Sequence, residues 1–538
     1  MSDDSVELTG PDLAKGVEAS SIRPGQLIAG HAFGEPVLLV HVEPNWFAVA
    51  GKCTHYGGPL EEGVLVADTI RCPWHHACFQ LTSGAASRAP ALNDLPSYDV
   101  AVENNIVRVT GKRDHARPKG EGYRTRGASA PERVLFDANP AAGPKSVVII
   151  GGGAAGNACA EMLRREGYRG PITVIEQDPD APYDRPNLSK DYLAGNAPEE
   201  WLPLHPKEFY AAQRIEIVSG VEATGIDTRS KSVQLSDGTT REYGRLLIAT
   251  GATPIRLDVP GGSRISYLRT LRDCRAIIES LSAAKTAVVI GASFIGLEVA
   301  ASLVARGLKV SVAAPETLPL ERVLGAELGK LVMSVHEQQG VVFHLNRKVT
   351  GVDEKSVILD DGSRLDADIV VAGVGVRPNL RLAESAGLTL DNGLAVDEFL
   401  ETSAKDVFGA GDVARWPDAY SDRRLRVEHW VVAERQGQVV ARNMLGARDR
   451  FDDIPFFWSA HYDKLSIRYI GHADHWDATK IEGDVMKMDC AVSFMLGGTR
   501  RAMATINRDR ENLVAEVEFE TELLLRPPPS VTLEAAEA

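Results

Sequence analysis

A pattern of strand, glycine-rich turn and helix occurs twice in this chain and limits the folds that it can adopt. The segment SVVIIGGGAAG at residues 146–156 is followed by AVVIGASFIG at residues 287–296. In both copies a run of aliphatic residues leads into a glycine turn, which indicates a βαβ unit of a parallel sheet. Three glycine pairs are separated by 140 residues: Gly151 and Gly291, Gly156 and Gly296, and Gly167 and Gly307. Two domains of similar design are therefore predicted.

A second repeat indicates how the two domains follow one another along the chain. LSDGT and LLIATGATP, within residues 235–254, return as LDDGS and IVVAGVGVRP within residues 359–378, an offset of 124 residues. We predict that the second domain interrupts the first. The predicted boundaries are 144–255 and 381–448 for the first domain, 256–380 for the second, 449–525 for a C-terminal interface domain and 526–538 for a tail.

The N-terminal part of the chain has a different pattern of apolar and polar residues. Short runs such as PVLLVHV, WFAVA and NIVRVT, broken by Gly, Pro and Asn, are typical of a small antiparallel β domain, predicted at residues 1–112. Residues 113–143 are rich in Arg, Gly, Ala and Pro without a sustained period, which predicts a linker. The predicted fold class is a multi-domain protein: a small all-β domain, an α/β part with two dinucleotide-binding domains, and an α+β C-terminal interface domain.

Composition and charge restrict the partners of the chain. Its 538 residues carry a net charge of −15, so its long-range field repels nucleic acid and anionic lipid, and neither is an expected partner. The sequence contains no run of about 18 apolar residues and no signal-peptide pattern at its start, so we expect a cytoplasmic protein. Of its six cysteines, Cys159, Cys274 and Cys490 are isolated and are predicted to be buried packing residues.

The other three cysteines lie in a histidine-containing cluster. Cys53-Thr54-His55 and Cys72-Pro73-Trp74-His75 each supply one thiolate and one imidazole. This pattern resembles the Rieske domain, in which two Cys and two His bind a [2Fe–2S] cluster. The predicted ligands are Cys53, His55, Cys72 and His75. A Cys2His2 zinc site is the alternative, which we disfavour because zinc modules usually supply Cys and His as separate pairs.

Three neighbouring positions refine this interpretation. Gly58 and Trp74 stand where high-potential Rieske proteins carry a further disulfide, so the resemblance implies the lower-potential ferredoxin type. His76 stands where the family usually has glycine, and we expect its side chain to be exposed; the alternative is that it tunes the cluster or its docking face. Cys78 is expected to have a packing role.

The two glycine turns have the spacing of dinucleotide-binding fingerprints. Gly151, Gly153 and Gly156 would form a tight turn against a pyrophosphate, and Glu176 ends the next strand, where a carboxylate binds a ribose. In the second turn Ser293 replaces the middle glycine between Gly291 and Gly296. Glu316 has the same spacing as Glu176, although an alignment by strands places Ala314 there instead. No Arg follows the strand directly, which favours NADH over NADPH. Gly373, Gly375 and Pro378 resemble the second glycine turn of the pyridine-nucleotide-dependent flavoproteins.

Two further motifs resemble the pyridine-nucleotide-dependent flavoproteins. These motifs are PYDRPNLSK at residues 182–190 and TSAKDVFGAGDVARW at residues 402–416. The resemblance implies that the first nucleotide is FAD. The residues that it implies for FAD binding are Arg185, Lys190, Ala223, Arg269, Asp412 and Trp430. The disulfide reductases of this class place a close cysteine pair near the flavin, and no such pair follows Glu176, so we exclude that reaction.

Residues 146 to about 525 resemble ferredoxin reductases and the apoptosis-inducing-factor family. RVEHW at 426–430 and PFFWSAHYD at 455–463 belong to this resemblance, and the N-terminal cluster is similar to the Rieske-bearing branch of that family. The resemblance implies a catalytic pair, Lys190 and Glu298, beside the flavin. It also implies that Glu428, His429 and Trp458 border the nicotinamide.

The functional hypothesis is an NADH-dependent flavoprotein oxidoreductase of the ferredoxin reductase type. Flavin accepts a hydride and returns electrons singly, so it can link NADH to an iron–sulfur cluster. We expect electrons to pass from FAD to the Rieske cluster and on to an unidentified one-electron acceptor, in a monomer or homodimer. The alternative is a redox-sensing flavoprotein of the apoptosis-inducing-factor type. An oxygenase is disfavoured, because the chain after the cluster is accounted for by flavin and nicotinamide binding.

Overall fold

The computed structural model describes residues 8–113 and 143–526, which divide into two compact units. Unit 1 comprises the described part of Met1–Ala141 together with Asp509–Glu518. Unit 2 comprises the described parts of Ala142–Arg508 and Phe519–Ala538. The segment Asp509–Glu518 thus groups with the N-terminal unit, although the sequence assigned it to the C-terminal interface domain. The predicted linker and tail lie largely outside the described residues.

Unit 1 consists of two antiparallel sheets. Within residues 8–113 its strands, β1 to β10, are Val17–Glu18, Leu27–Ala32, Glu35–Val42, Asn45–Ala50, Val64–Val66, Thr69–Arg71, Cys78–Gln80, Ala86–Arg88, Ser97–Glu103 and Ile106–Lys112. One sheet has the strand order β1-β10-β9-β4-β3-β2, and the other has the order β5-β6-β7-β8. The small all-β domain predicted from the alternating runs is therefore present.

Strand β3 contributes to two hydrophobic clusters of unit 1. Leu38 and Val40 pack into the cluster that contains Cys53 and Cys72. Val37 and Leu39 point to the opposite face and pack into the second cluster. Successive side chains of a strand point to opposite faces, so a run of four aliphatic residues can fill two cores.

Unit 2 contains the two repeated parallel sheets. The first has the order β13-β12-β11-β17-β29 and consists of Ile215–Ser219, Ile172–Glu176, Val147–Ile150, Arg245–Ile248 and Val407–Gly409. The second has the order β19-β26-β20-β21-β22 and consists of Ile265–Tyr267, Ile369–Ala372, Thr286–Ile290, Lys309–Ala314 and Val342–Leu345. The chain leaves the first sheet after β17, forms the whole second sheet, and returns to the first sheet with β29.

Two helices begin directly after the glycine turns, as the repeat predicts; they are α1 (Ala154–Arg165) and α5 (Phe294–Ala305). The helices of the described residues are α1 Ala154–Arg165, α2 Asp191–Ala194, α3 Lys207–Ala212, α4 Leu271–Ser280, α5 Phe294–Ala305, α6 Glu321–Gln338, α7 Arg381–Ser385, α8 Trp430–Met444 and α9 Asp509–Leu524. None of the described helices is long and apolar enough to cross a membrane.

The C-terminal part of unit 2 is an antiparallel sheet with the order β32-β33-β36-β35-β34. These strands are Phe456–His461, Leu465–Gly471, Thr499–Ile506, Asp489–Leu496 and Ala478–Asp484. Aliphatic and aromatic residues of this sheet share a hydrophobic cluster with α6 and with Leu297 of α5. This packing holds β32 against the second nucleotide-binding domain.

Smaller sheets complete unit 2. They are formed by β14 Ala223–Asp227, β15 Ser232–Leu235 and β16 Thr240–Glu242; by β18 Ala252–Pro254 and β27 Val376–Pro378; by β23 Val349–Val352, β24 Ser356–Leu359 and β25 Arg364–Asp366; and by β28 Leu394–Ala395, β30 Ala414–Asp418 and β31 Arg423–Leu425.

Candidate functional site

The four predicted cluster ligands lie on two loops of unit 1 that have the same backbone pattern. In the first loop the Cys53 N–H donates to the Gly58 carbonyl, and in the second the Cys72 N–H donates to the Ala77 carbonyl, both at 2.9 Å. Each hydrogen bond closes a turn of six residues that begins with a cysteine. The loops therefore present equivalent cysteines in equivalent positions.

The donor atoms are arranged as two pairs. The Nδ1 atoms of His55 and His75 lie 3.1 Å apart, and Cys53 is a hydrogen-bonding neighbour of Cys72. Within residues 8–113 and 143–526, no three His, Cys, Asp or Glu side chains are grouped to hold one metal ion. In a Rieske cluster two cysteines bind one iron and two histidines bind the other. The paired arrangement fits that binuclear group.

The local electrostatics also suit a bound cluster. Burial lowers the pKa of His55 to about 3, so the imidazole is neutral and available as a ligand. The hydrogen bond with Cys72, followed by burial, raises the pKa of the Cys53 thiol. Bound iron would reverse this effect, because a coordinating thiol is deprotonated. A Cβ atom on Gly58 would lie 2.7 Å from the Cys72 sulfur, so a side chain at position 58 would crowd the site.

The expectation that His76 is exposed was wrong. His76 is fully buried, and its Nδ1 lies 3.2 Å from a carboxylate oxygen of Glu516, which is also fully buried. Arg71 and Arg88 contact the same carboxylate at 3.4 and 2.9 Å. Glu516 lies more than 400 residues later in the chain, so local sequence could not reveal this pairing. Cys78 is buried, as expected.

The first glycine turn of unit 2 forms a cradle that fits a dinucleotide. A Cβ atom on Gly156 would lie 1.8 Å from the Gly151 carbonyl oxygen, and Gly151 has a φ of 102°. Only glycine fits these two positions, and α1 can therefore approach the sheet closely. At the start of α1, a Cβ atom on Gly153 would lie 3.5 Å from an Arg185 nitrogen. Arg185 Nε is buried without a hydrogen-bond partner in the described residues, as expected beside a pyrophosphate binding site.

The structure also shows the surroundings of the other residues predicted to bind FAD. The Gly152 N–H donates to Glu176 at 2.5 Å, which fixes the carboxylate at the end of β12. Arg269 donates to Asp412 at 2.8 Å. Ala223 is buried at the start of β14, and Trp430 is the first residue of α8. The sequence did not single out Glu434, one turn further along α8, where burial raises the carboxyl pKa well above its usual range.

The predicted catalytic pair is present as a direct ion pair. Lys190 Nζ lies 2.9 Å from Glu298, whose side chain is almost completely buried. Ser189 donates to the same carboxylate oxygen, and Ser459 donates to the other, both at 2.6 Å. Sequence reasoning missed these two serines. Ser459 lies within the quoted PFFWSAHYD motif, but only the fold brings it to a residue 161 positions earlier.

The second glycine turn differs from the first at its middle position. Ser293 caps α5 by accepting from the Gly296 N–H at 3.2 Å, and its hydroxyl donates to the Gly373 carbonyl at 2.7 Å. Register places Ala314 at the position of Glu176, because Ile290 pairs with Ala313 as Ile150 pairs with Ile175. Glu316 lies two residues beyond the strand, and one of its carboxylate oxygens is buried without a hydrogen-bond partner among described residues.

The residues predicted to border the nicotinamide lie on or near α8 and β32. Glu428 is exposed and accepts from Arg426 at 2.6 Å. Burial lowers the pKa of His429 to about 3, and its ring lies 4.7 Å from that of Phe457. Trp458 is on β32 and is half-buried. Gly375 has a φ of 99°, as a glycine turn requires.

The isolated cysteines have the packing role that was predicted. Cys159, Cys274 and Cys490 are free and fully buried. They lie on α1, α4 and β35, and none lies next to another cysteine in the chain.

Comparisons with known proteins agree with both parts of the site. Residues 14–99 match the Rieske [2Fe-2S] domain model, and residues 145–437 match the pyridine nucleotide-disulphide oxidoreductase model. Human apoptosis-inducing factor 3 is 34% identical over 88% of this chain and 78% of its own length. Putidaredoxin reductase of Pseudomonas putida is 35% identical over 68% of this chain and 89% of its own length.

Solved structures show the same fold. The reductase of the covalent putidaredoxin reductase–putidaredoxin complex matches with a TM-score of 0.68 and 33% identity, covering 73% of this chain and 98% of that one. The resemblance inferred from the motifs is thereby confirmed. The chain belongs to the pyridine nucleotide-disulphide oxidoreductase family and is a flavoprotein oxidoreductase of the ferredoxin reductase type with a Rieske [2Fe–2S] domain.

Proposed function

We propose that the protein oxidises NADH and passes the electrons through FAD to its own Rieske cluster and then to an external one-electron acceptor. The observations that support this proposal are the paired Cys and His side chains of unit 1 and, in unit 2 of the same chain, a glycine-turn cradle and a buried Lys190–Glu298 ion pair. Bound flavin accepts a hydride and returns electrons one at a time. Under this proposal the flavin accepts two electrons together from NADH, and the cluster passes them on one at a time.

The residues divide into three roles under this proposal. Arg185, Glu176 and the start of α1 hold the FAD pyrophosphate and ribose. Lys190 and Glu298 set the charge beside the reacting ring, while His429 and Trp458 border the nicotinamide. Hydride transfer requires mainly that the two rings face each other, so in that step these residues position the rings.

We propose NADH rather than NADPH as the reductant. No Arg directly follows β21, where a 2′-phosphate would need a cation. Two relatives have names that specify NAD(+): a rubredoxin reductase of Pseudomonas putida and the ferredoxin reductase component of an anthranilate dioxygenase system of Burkholderia cepacia. Comparing flavin reduction at equal concentrations of NADH and NADPH tests this choice. A faster reaction with NADPH would contradict it.

The central test is an anaerobic NADH titration of the reconstituted protein. Flavin bleaching is followed optically, and the reduced cluster is followed by EPR. We expect the reduced-Rieske signal to appear as the flavin is reduced. A bleached flavin with a cluster that stays oxidised would show that the cluster does not accept these electrons.

A matched pair of cysteine variants makes this test specific. Cys72→Ser removes a predicted ligand and should abolish the EPR signal while flavin bleaching by NADH continues. Cys78→Ser changes a buried cysteine in the same segment that is not a predicted ligand, and the EPR signal should remain. Loss of the signal in both variants would mean that the segment is merely unstable.

A redox-sensing role is the second candidate, because apoptosis-inducing factor 3 matches across 88% of the chain. In that case NADH would change the association state of the protein, and turnover with a one-electron acceptor would be secondary. Size-exclusion chromatography with and without NADH measures the association state. Sustained turnover without a change in association favours the enzyme.

A further inference from the structure

Polar side chains form a continuous hydrogen-bonded chain that leads away from the Lys190–Glu298 pair. Ser459 Oγ lies 2.6 Å from Glu298 Oε1 and 3.1 Å from His461 Nε2. His461 Nδ1 lies 3.3 Å from His336 Nε2, and His336 Nδ1 lies 2.8 Å from the Tyr462 hydroxyl. We call these five residues, Glu298, Ser459, His461, His336 and Tyr462, the Glu298–Tyr462 chain.

Three elements of unit 2 hold this chain in place. Ser459 and His461 are two residues apart on β32, so their side chains point to the same face of the strand. His336 comes from the last turn of α6. Tyr462 lies in the tight turn after β32, where Tyr462 and Asp463 have φ values of 57° and 54°. That turn directs the tyrosine back toward α6.

Burial isolates the inner members of the chain from water. Glu298, Ser459, His461 and His336 are at most 3% exposed, whereas Tyr462 is half-buried. Burial, followed by the neighbouring Lys190 charge, lowers the pKa of His461 to about 3. Burial, followed by His461, lowers the pKa of His336 to about 2. Both imidazoles are therefore neutral, and each has one N–H donor and one acceptor nitrogen.

The same contacts are compatible with two hydrogen-bonding patterns, in which the direction of donation along the Glu298–Tyr462 chain is opposite. In the first, Tyr462 donates to His336, His336 to His461, His461 to Ser459, and Ser459 to the Glu298 carboxylate. In the second, a protonated Glu298 donates to Ser459, and every later bond is reversed until Tyr462 donates outward. Going from the second pattern to the first releases one proton at Tyr462.

We propose that the Glu298–Tyr462 chain conducts protons between the flavin side of the site and solvent. This inference rests on the proposed function, in which a one-electron acceptor takes both electrons of the hydride. A hydride consists of two electrons and one proton, so bound flavin would keep one proton per NADH at N5 after both electrons have left. Breaking that N–H bond would pass the proton to the Lys190–Glu298 pair, and an equivalent proton would leave from Tyr462.

His336→Gln is the most informative variant. Glutamine can accept and donate hydrogen bonds. Unlike imidazole, however, it cannot take up a proton at one nitrogen and release another proton from a second nitrogen. It thus retains a structural role and removes a relay. Tyr462→Phe removes the outer hydroxyl and keeps the ring. Tyr469→Phe is the control, because it removes a buried hydroxyl from the same hydrophobic cluster and does not belong to the chain.

Proton release is measured by stopped flow with a pH-indicator dye. Each NADH-reduced protein is mixed with ferricenium, a one-electron oxidant, while flavin oxidation is followed optically. We expect proton release to be slower by at least about tenfold in His336→Gln, because a positioned proton-transfer group contributes typically about 10²–10⁴-fold. The effect should be smaller in Tyr462→Phe, which loses only the outermost hydroxyl. Flavin reduction by NADH should stay within twofold of wild type, and Tyr469→Phe should match wild type in both measurements.

A second readout does not depend on turnover. NMR of the resting protein labelled with 15N-histidine reports which ring nitrogen carries the proton. We expect His336 and His461 to be neutral from pH 6 to 8, with the Nε2–H form in both. Glu298→Gln, whose amide can donate to Ser459, should shift both rings toward the Nδ1–H form.

The outcomes separate this inference from the proposed function. Unchanged proton release in folded His336→Gln would overturn the proton path, and if that variant does not fold, unchanged release in Tyr462→Phe would do so. Failure of the cluster to accept electrons would appear in the NADH titration instead. Ferricenium takes electrons from the flavin directly, so the proton measurement stays valid in that case.

Discussion

Glu516 shows how strongly one buried residue can depend on distant partners. Its carboxylate contacts Arg71, Arg88 and His76 within unit 1, and it is fully buried. Replacing one partner of a buried ion pair leaves an uncompensated charge. The sequence predicted cluster ligands next to His76 but did not predict the contact with this carboxylate, because the contact joins residues at opposite ends of the chain.

We expect Glu516→Gln to destabilise unit 1 by about 3–5 kcal/mol, because Arg71 and Arg88 would keep their charges without a buried carboxylate. The measurement is thermal unfolding of unit 1, followed by loss of the Rieske absorbance in the full-length protein. Glu511→Gln, which changes an exposed carboxylate on the same helix, is the control and should unfold like wild type. Equal stability of both variants would contradict the structural role of Glu516.

At the scale of elements, the N-terminus of α5 depends on a residue that departs from the fingerprint. Ser293 accepts from the Gly296 N–H and donates to the Gly373 carbonyl. We expect Ser293→Ala to lower the free energy of unfolding by about 1 kcal/mol, since the cap is lost. Ser293→Gly should cost only about a few tenths of a kcal/mol at this position. Urea unfolding of unit 2 compares the two variants, and a larger loss for glycine would be inconsistent with capping.

The turn after β28 gives a pH-dependent contribution to stability. Burial, followed by the nearby Glu398 and Glu401, raises the pKa of Asp397 to about 6. In the unfolded chain this pKa is about 3.9. The folded state therefore holds an extra proton between these values, so the stability that Asp397 contributes is greatest below about pH 4 and is lost as pH rises through about 6.

Asp397→Asn should remove this dependence. Asparagine can still accept from the Phe399 and Glu401 N–H groups, so the turn is retained. We expect the variant to melt at a higher temperature than wild type at pH 8 and at the same temperature at pH 4. Asp361→Asn should instead melt at a lower temperature than wild type at pH 8, because hydrogen bonds from Ser363 lower the pKa of Asp361 to about 2. A gain for both variants at pH 8 would point to a general effect of net charge.

Across the whole molecule, local patterns predicted the parts of the fold that are repeated or continuous in sequence. The glycine turns before α1 and α5 and the cysteine–histidine loops were identified because the chemistry requires fixed spacing. The hydrogen bonds from Ser189 and Ser459 to Glu298 could not be predicted, since they join three separate elements. The burial of His76 was missed for the same reason. Contacts between distant segments depend on how the elements pack in the folded protein, and the spacing of residues within a motif carries no information about that packing.

Unit 1 is discontinuous in sequence, and this leads to a prediction about the N-terminal fragment. A fragment of residues 1–113 contains every predicted cluster ligand but lacks Asp509–Glu518. Arg71 and Arg88 would then lose the buried carboxylate, at a cost comparable to much of the 5–15 kcal/mol that stabilises a typical domain. We expect the isolated fragment to lose its cluster at a clearly lower temperature than the full-length protein.

A peptide spanning Asp509–Leu524 supplies the missing helix and tests the cause of this instability. Added in excess, it should raise the temperature at which the fragment loses its Rieske absorbance, because binding to the folded state stabilises it. The same peptide with Glu516→Gln should have a much smaller effect. If the fragment alone were as stable as unit 1 in the full-length protein, Asp509–Glu518 would contribute no stability. A fragment that is unstable but insensitive to both peptides would place the cause outside the Glu516 contacts.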